Sequence, residues 1–221
     1  MAKNVGCVIV TGNPRPDREL VEKFAGLPVA NIDDCMNRTA AVHNDIFPLN
    51  KTPLLGTAFT VKVPQGDNLM FHKAMDMAQP GDVVVIDAGG FTDRAIFGEL
   101  MIQYCQKRGL AGVIVDGAVR DSDTLSALDF PVYAKGITPN GPYKNGPGEI
   151  GTTISPGDII VGDQDGIIII KPEEAEELAA QAKAVFEKEE KIAATIHQEG
   201  TYIRPWVDEK LKEIGCEFTE K

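Results

Sequence analysis

The residues with the most chemical promise are an arginine and an aspartate at the end of an apolar run. Gly112-Val113-Ile114-Val115-Asp116-Gly117-Ala118-Val119 runs straight into Arg120-Asp121. Arg120 offers a planar fork for a carboxylate or keto acid, and Asp121 offers a hard oxygen ligand for a divalent cation. Upstream stands Gly98-Glu99-Leu100-Met101. A helix starting near Gly98 leaves the backbone N–H groups of Glu99, Leu100 and Met101 free, an anion pocket that needs no side chain. Together these groups suit a metal-bound, negatively charged small molecule. Taken alone, an Arg-Asp pair serves equally well as a surface ion pair.

Other chemistry-bearing residues carry weaker patterns. His72 and Asp76, four apart, either share a metal or simply occupy a helix face. His43 and His197 are isolated. Asp87-Ala88-Gly89-Gly90 follows a strand as a nucleotide or S-adenosylmethionine turn would. No GxGxxG accompanies it, and no acidic partner for a ribose stands at the expected distance. Cys7, Cys35, Cys105 and Cys216 lie far apart, with no CxxC and no Cys/His ligand spacing, and read as reduced thiols.

Positioning these groups requires a real core, and 221 residues with 43% hydrophobic and 25% charged side chains can build one. The formal charge of −11 argues against a surface that grips nucleic acid or anionic lipid. The longest apolar runs are too short to span a bilayer, and Met1 to Gly6 lack the apolar stretch of a leader. The expectation is a soluble, cytoplasmic protein with no nucleic-acid or membrane partner.

Three stretches follow: an N-terminal helical segment over 1–50, a catalytic α/β body over 51–170, and a C-terminal helix and tail over 171–221 that contacts an oligomeric neighbour, all in one domain. In the first, Asp17 to Ala25 reads as a helix stopped by Gly26, and a second helix starts near Asn31 as its cap. In the body, strands at 55–63, 83–86 and 112–117 alternate with helices at 68–77, 95–108 and 122–129. Pro80-Gly81-Asp82 and Pro156-Gly157-Asp158 each launch an apolar strand that leaves through a Gly-containing turn. Pro172 to Gln198 reads as a single helix with an acidic first turn, ended by Gly200, and spans roughly 40 Å. That length calls for a second surface.

The strings Gly98-Glu99-Leu100-Met101, Gly112 to Asp121, Pro131-Val132-Tyr133-Ala134, Pro156-Gly157-Asp158 and Asp163-Gln164-Asp165-Gly166 resemble the class II pyruvate aldolase family. That family includes the 4-hydroxy-4-methyl-2-oxoglutarate and 4-carboxy-4-hydroxy-2-oxoadipate aldolases and the regulators of ribonuclease activity A. The resemblance covers roughly residues 30 to 170. It implies an α/β/α sandwich of the swivelling-domain type, here with a long C-terminal helix, assembled as a homotrimer or homohexamer. It implies a divalent metal, Mg2+ or Mn2+, held by Asp121 largely through waters. Arg120 then contacts the keto oxygen and carboxylate of an oxo acid, Gly98 to Met101 hold the pyruvate moiety, and Glu99 orients metal-bound water. A tail glutamate from a neighbouring subunit, Glu199 by position with Glu189 and Glu190 as alternatives, reaches the site. The family places an acid three residues after the motif Asp, where this chain has Thr124, with Asp123 one position earlier.

The activity so implied is metal-dependent cleavage of a 4-hydroxy-2-oxo acid to pyruvate and a second carbonyl product. Oxaloacetate decarboxylation passes through the same enolate. The charge that develops on the keto oxygen suits a metal with Arg120 beside it, and no Schiff-base lysine is required. The rival expectation is a non-catalytic binding protein of the ribonuclease-regulator kind, although the tail after residue 170 resembles the longer aldolase form.

Overall fold

The computed structural model describes residues 6–152 and 155–216, so residues 1–5 of the leader reading lie outside the described residues. Elements in chain order are β1 Cys7–Ile9, α1 Arg18–Glu22, α2 Val29–Cys35, β2 Phe47–Pro48, β3 Leu54–Lys62, α3 Leu69–Met77, β4 Asp82–Phe97 and α4 Glu99–Lys107. There follow β5 Gly112–Val119, α5 Ser122–Ala127, β6 Val132–Ile137, β7 Gly148–Ile150, β8 Ile159–Gly162, β9 Ile167–Ile170, α6 Pro172–Glu199 and α7 Pro205–Glu213. This is the expected α/β fold with a long C-terminal helix. The sheet runs β1-β7-β3-β4-β5-β6-β2, and β3, β4, β5 and β6 are mutually parallel.

Strand alternation sorts the core into layers. One face of the parallel strands (Phe59, Val61, Val84, Ile86, Val113, Val115) packs on Phe71 of α3, Ile102 and Cys105 of α4 and Leu125 of α5. The opposite face (Ala58, Val83, Val85, Ile114) meets Ile160 and Ile167 of the β8–β9 hairpin. Other hairpin side chains, Ile159, Val161, Ile168 and Ile170, pack on α1, α2 and the first half of α6.

Both Pro-Gly-Asp turns work as expected, and they flank one strand. β4 pairs with β3 in parallel and β8 pairs with it antiparallel, so Thr57 faces both Asp82 and Ile159. Gly81 and Gly157 sit at φ +89° and +99°, a region that disfavours any other residue. The Asp82 side chain is 2% exposed and accepts Arg15 Nε at 2.9 Å, Arg15 Nη2 at 2.7 Å and the Gln79 N–H at 2.8 Å. Asp82→Ala is therefore expected to destabilise by about 3 kcal/mol, the low end for breaking a buried pair because Arg15 stays partly exposed. Urea unfolding of the variant checks it.

Several element boundaries differ from expectation. Ala95 to Phe97 are not helical: they end β4, with Ala95 opposite Ala118 and Phe97 opposite Val119. Pairing with β5 outweighs the helical spacing of their side chains. The helix begins at Glu99, and Leu100, placed on its apolar face by periodicity, is 79% exposed while Ile102 and Cys105 are buried. Asn31 is no cap: α2 starts two residues earlier after Pro28, and Asn31 is buried inside it. α1 stops at Glu22, short of Gly26.

Two compact units emerge, Met1–Lys183 and Ala184–Lys221. In the first, α6 buries Ala175, Leu178, Ala179 and Ala182. In the second, no described residue is buried, and Ile196, Ile203, Trp206 and Ile214 are exposed. All four cysteines are free thiols, and burial pushes that of Cys105 up to about 12. No helix among the described residues is long and apolar enough to cross a membrane.

Candidate functional site

The ends of β4 and β5 lie side by side, and the Arg120 N–H donates to the Phe97 carbonyl at 3.0 Å. The chain then bends sharply. Asp121 adopts φ 57°, ψ 40°, a left-handed conformation that costs a non-glycine residue about 1 kcal/mol. It stands at the start of α5, yet its side chain caps nothing there. Instead Oδ2 accepts the N–H of Glu99, the first residue of α4, at 3.1 Å. Arg120 Nε lies 3.7 Å from the same oxygen. Of the three amides expected to be free at the start of α4, the one at Glu99 is thus spent on Asp121. Those of Leu100 and Met101 have no hydrogen-bond partner among the described residues.

Gly98 makes this junction possible. Its φ of −147° and ψ of −163° are ordinary extended values, so the need for glycine is steric. A Cβ there would lie 2.2 Å from Asp121 Oδ2 and 2.8 Å from Arg120 Cγ. Gly98→Ala is expected to displace both side chains and, on the lyase reading proposed below, to lower kcat/KM about 100-fold. Its melting temperature should fall little, because the displaced groups are half-exposed. Kinetics and thermal unfolding of one preparation check both parts.

The junction forms one wall of a cleft of about 610 Å³. Gly98, Glu99, Leu100, Met101, Arg120 and Asp121 all line it. Asn68, His72 and Lys144 line it as well, with Asn68 Nδ2 donating to the Ile96 carbonyl at 2.8 Å and lying 3.6 Å from Met101 Sδ. Spacing gave no signal for Asn68 or Lys144, which are far from the motif in sequence. Asp67 brings the loop bearing Lys144 into place: its buried carboxylate accepts the N–H groups of Asn145 at 2.5 Å and Gly146 at 3.0 Å. Arg94 Nη1 donates to the Gly141 carbonyl at 2.9 Å and its guanidinium lies over the Tyr143 ring. Burial, then the nearby positive Lys144, lowers the pKa of His72 against the opposing pull of Asp76, so the imidazole is neutral near pH 7. Arg120 and Lys144 thus supply the positive charge of the cleft.

His72 and Asp76 do not act as a pair. Asp76 accepts the Tyr104 hydroxyl at 2.9 Å and approaches Arg108 at 4.0 Å. Asp123 and Thr124 line a neighbouring depression that shares Glu99, Arg120 and Asp121 with the cleft. Glu99 accepts the Gln103 amide at 2.7 Å. Glu199 is the last residue of α6, exposed, in the unit beginning at Ala184, with the Thr201 hydroxyl 3.5 Å away.

Among the described residues no group of three or more His, Cys, Asp or Glu side chains gathers to hold a metal. The donor set therefore does not fit a caged transition metal. It fits a hard cation that keeps most of its waters: Asp121 Oδ1 makes no hydrogen bond among the described residues, and the side chain is 43% exposed.

A family model described as RraA-like, Aldolase/RraA, matches residues 29–169. A protein named "Putative 4-hydroxy-4-methyl-2-oxoglutarate aldolase", from Halalkalibacterium halodurans, is 36% identical over 201 residues, covering 87% of this chain and 96% of the relative. Among solved structures, Streptomyces coelicolor RraAS2, titled an unusual member of the RNase ES inhibitor RraA family, is 26% identical with a TM-score of 0.68. That match covers 80% of this chain and 97% of the other. The RNA-processing inhibitor RraA from Thermus thermophilis is 25% identical with a TM-score of 0.59, covering 65% of this chain and 92% of its own.

Proposed function

The chain belongs to the RraA-like family, Aldolase/RraA, and on that footing we propose that it is a divalent-metal-dependent pyruvate lyase. It cleaves a 4-hydroxy-2-oxo acid of the 4-hydroxy-4-methyl-2-oxoglutarate type and decarboxylates oxaloacetate through the same enolate. The observation that carries this reading is the junction at Gly98, where a hard carboxylate, a guanidinium and a helix start converge without room for a Cβ. A surface ion pair needs no such fit.

In this reading the Arg120 fork takes the carboxylate and keto oxygen of the substrate, and the Leu100 and Met101 amides take the remaining carboxylate oxygen. A magnesium or manganese ion held by Asp121 supplies Lewis-acid stabilisation of the charge that develops on the keto oxygen. Glu99, tethered to Gln103, sets the hydration of that corner of the cleft. His72, neutral, and Lys144 line the same cleft and are the further groups within reach of the substrate. The 4-hydroxyl proton needs an acceptor during aldol cleavage, and we assign that task to Glu199 of a neighbouring copy in a homotrimer or homohexamer. The exposed apolar side chains of 184–216 support such an assembly.

Oxaloacetate has no hydroxyl proton to remove. Glu199→Gln is thus expected to slow aldol cleavage about 100-fold or more while leaving decarboxylation nearly unchanged. Mixed oligomers of Glu199→Gln with Asp121→Asn should recover part of the cleavage rate. Equal loss of both activities, or no recovery in proven hetero-oligomers, removes Glu199 from the site.

The second reading, a non-catalytic regulator that binds a ribonuclease, draws on the names of the solved relatives. The Thermus structure matches 65% of this chain and RraAS2 80%, and the match to the aldolase-named relative takes in 87%. One experiment separates the two readings: pyruvate release from oxaloacetate and from 4-hydroxy-4-methyl-2-oxoglutarate, with and without magnesium. Magnesium-dependent release supports the lyase. No release from either substrate overturns it.

A further inference from the structure

Asp87-Ala88-Gly89-Gly90, the turn that stands out in the sequence and plays no part in the cleft, builds a second feature. β4 and β5 keep register to Asp87 opposite Asp116, and the next pair is Phe91 opposite Gly117. Residues 88 to 90 are therefore extra, a large bulge that Gly89 and Gly90 accommodate at φ 65° and 67°. Glycine is needed here for conformation, and its Cα sits close to the charged groups: a Cβ on Gly90 would lie 3.2 Å from Lys135 Nζ and 3.6 Å from Asp116 Oδ1. Bulges of this kind re-aim side chains beside functional sites.

The bulge leaves a row of charges across four neighbouring parallel strands. Lys62 of β3 lies opposite Asp87 of β4, which lies opposite Asp116 of β5, with Lys135 of β6 beyond. The two carboxylates are adjacent, and neither is well served. Lys62 Nζ is 3.8 Å from Asp87, whose other oxygen accepts only the Gly89 N–H. Lys135 Nζ donates to Asp116 Oδ1 at 3.4 Å and lies closer, at 2.7 Å, to Asp45. Asp45, Asp87 and Asp116 thus stand among the ammonium groups of Lys62 and Lys135, with His43 Nδ1 2.9 Å from Asp45.

Asp87 and Asp116 are also the charged residues in the lining of a cavity of about 180 Å³. The rest is apolar, formed chiefly by Val42, Ile46, Ile114, Ile160, Ile167 and Ile169. The two aspartates are one-third exposed, which puts the polar end of the cavity at the protein surface. An apolar cavity of roughly 150 Å³ stays dry and takes a molecule the size of benzene, about six heavy atoms. The charged end disfavours an anion, because both charged residues in the lining are carboxylates.

We propose that this cavity binds a small aliphatic ammonium, its branched alkyl body among the isoleucines and its N–H donors on Asp87 and Asp116. The site is separate from the cleft at Gly98 and does not rest on the lyase reading. It gives the chain a place to sense an amine without touching the reacting atoms.

The cavity is rich in isoleucine, so the full-length protein labelled at isoleucine δ1 methyls reports on it directly. Titration with 3-methylbutylamine should shift the resonances of Ile114, Ile160 and Ile167 and saturate at millimolar concentration or below. 3-Methylbutan-1-ol and 3-methylbutanoate should bind at least about tenfold more weakly, the value of one charge-assisted hydrogen bond. Asp116→Asn should weaken the amine by a similar factor, and Ile167→Phe, which fills the cavity, should abolish the shifts. Equal affinity for the alcohol or the carboxylate overturns the proposal. So does an unaltered Asp116→Asn, a response centred on Ile96 and Ile102 near the cleft, or no saturable response at all. If Ile167→Phe does not fold, the ligand series and Asp116→Asn carry the test.

Discussion

Replacing Asp121 with alanine is expected to remove metal-stimulated pyruvate release, a loss of about 1,000-fold or more if the cation supplies several kcal/mol at the keto oxygen. The fold should survive, because the side chain is 43% exposed and its contacts are with the rim of the cleft. Asp121→Gly is the sharper variant. Glycine accepts φ 57° without strain, so it should match or exceed the parent in stability by up to about 1 kcal/mol. It should be as inactive as the alanine variant. Loss of activity with gain of stability separates the carboxylate's chemistry from the backbone's strain. Metal-stimulated activity in Asp121→Gly, or full activity of the parent in excess chelator, removes Asp121 as the metal's holder.

Arg120→Lys should fail nearly as badly, with kcat/KM down about 100- to 1,000-fold for oxaloacetate and hydroxy-oxo acid alike. A lysine keeps the charge but not the planar fork that spans a carboxylate and a keto oxygen. The geometry adds a second reason. Arg120 Nε lies 3.7 Å from Asp121 Oδ2, and Nη1 reaches the Gly141 side of the cleft, 3.4 Å from where a Cβ on Gly141 would be. One ammonium cannot occupy both ends of that span. Unlike Glu199→Gln, this variant should hit both reactions equally, because both pass through the same enolate. Steady-state kinetics on the two substrates check it, and selective loss of one reaction contradicts the assigned role.

Much of the frame was legible because it rests on local signals. The Pro-Gly-Asp turns, the β-branched runs of β3, β4 and β5, the Asn68 start of α3 and the capped length of α6 each state their conformation within a few residues. The motif residues were legible too: Gly98 to Met101, Arg120 and Asp121 share one wall of one cleft. What periodicity misjudged was Ala95 to Phe97, whose helical spacing lost to hydrogen bonding with β5, and Leu100, which faces solvent because α4 begins only at Glu99.

The sequence by itself determined that this chain is an α/β protein with an Arg-Asp pair at a strand end, a glycine ahead of a helix and a tail helix near 40 Å long. Those facts follow from residue types and short spacings. Only the tertiary structure decided that Gly98 must lack a Cβ because Asp121 leans across to the Glu99 amide, 22 residues away. It alone brought Asn68, His72 and Lys144 to the same cleft, and set Asp87 beside Asp116 over an apolar cavity. The reason is strand register. A parallel sheet joins residues tens of positions apart, and which ones meet depends on where each strand starts and where it bulges.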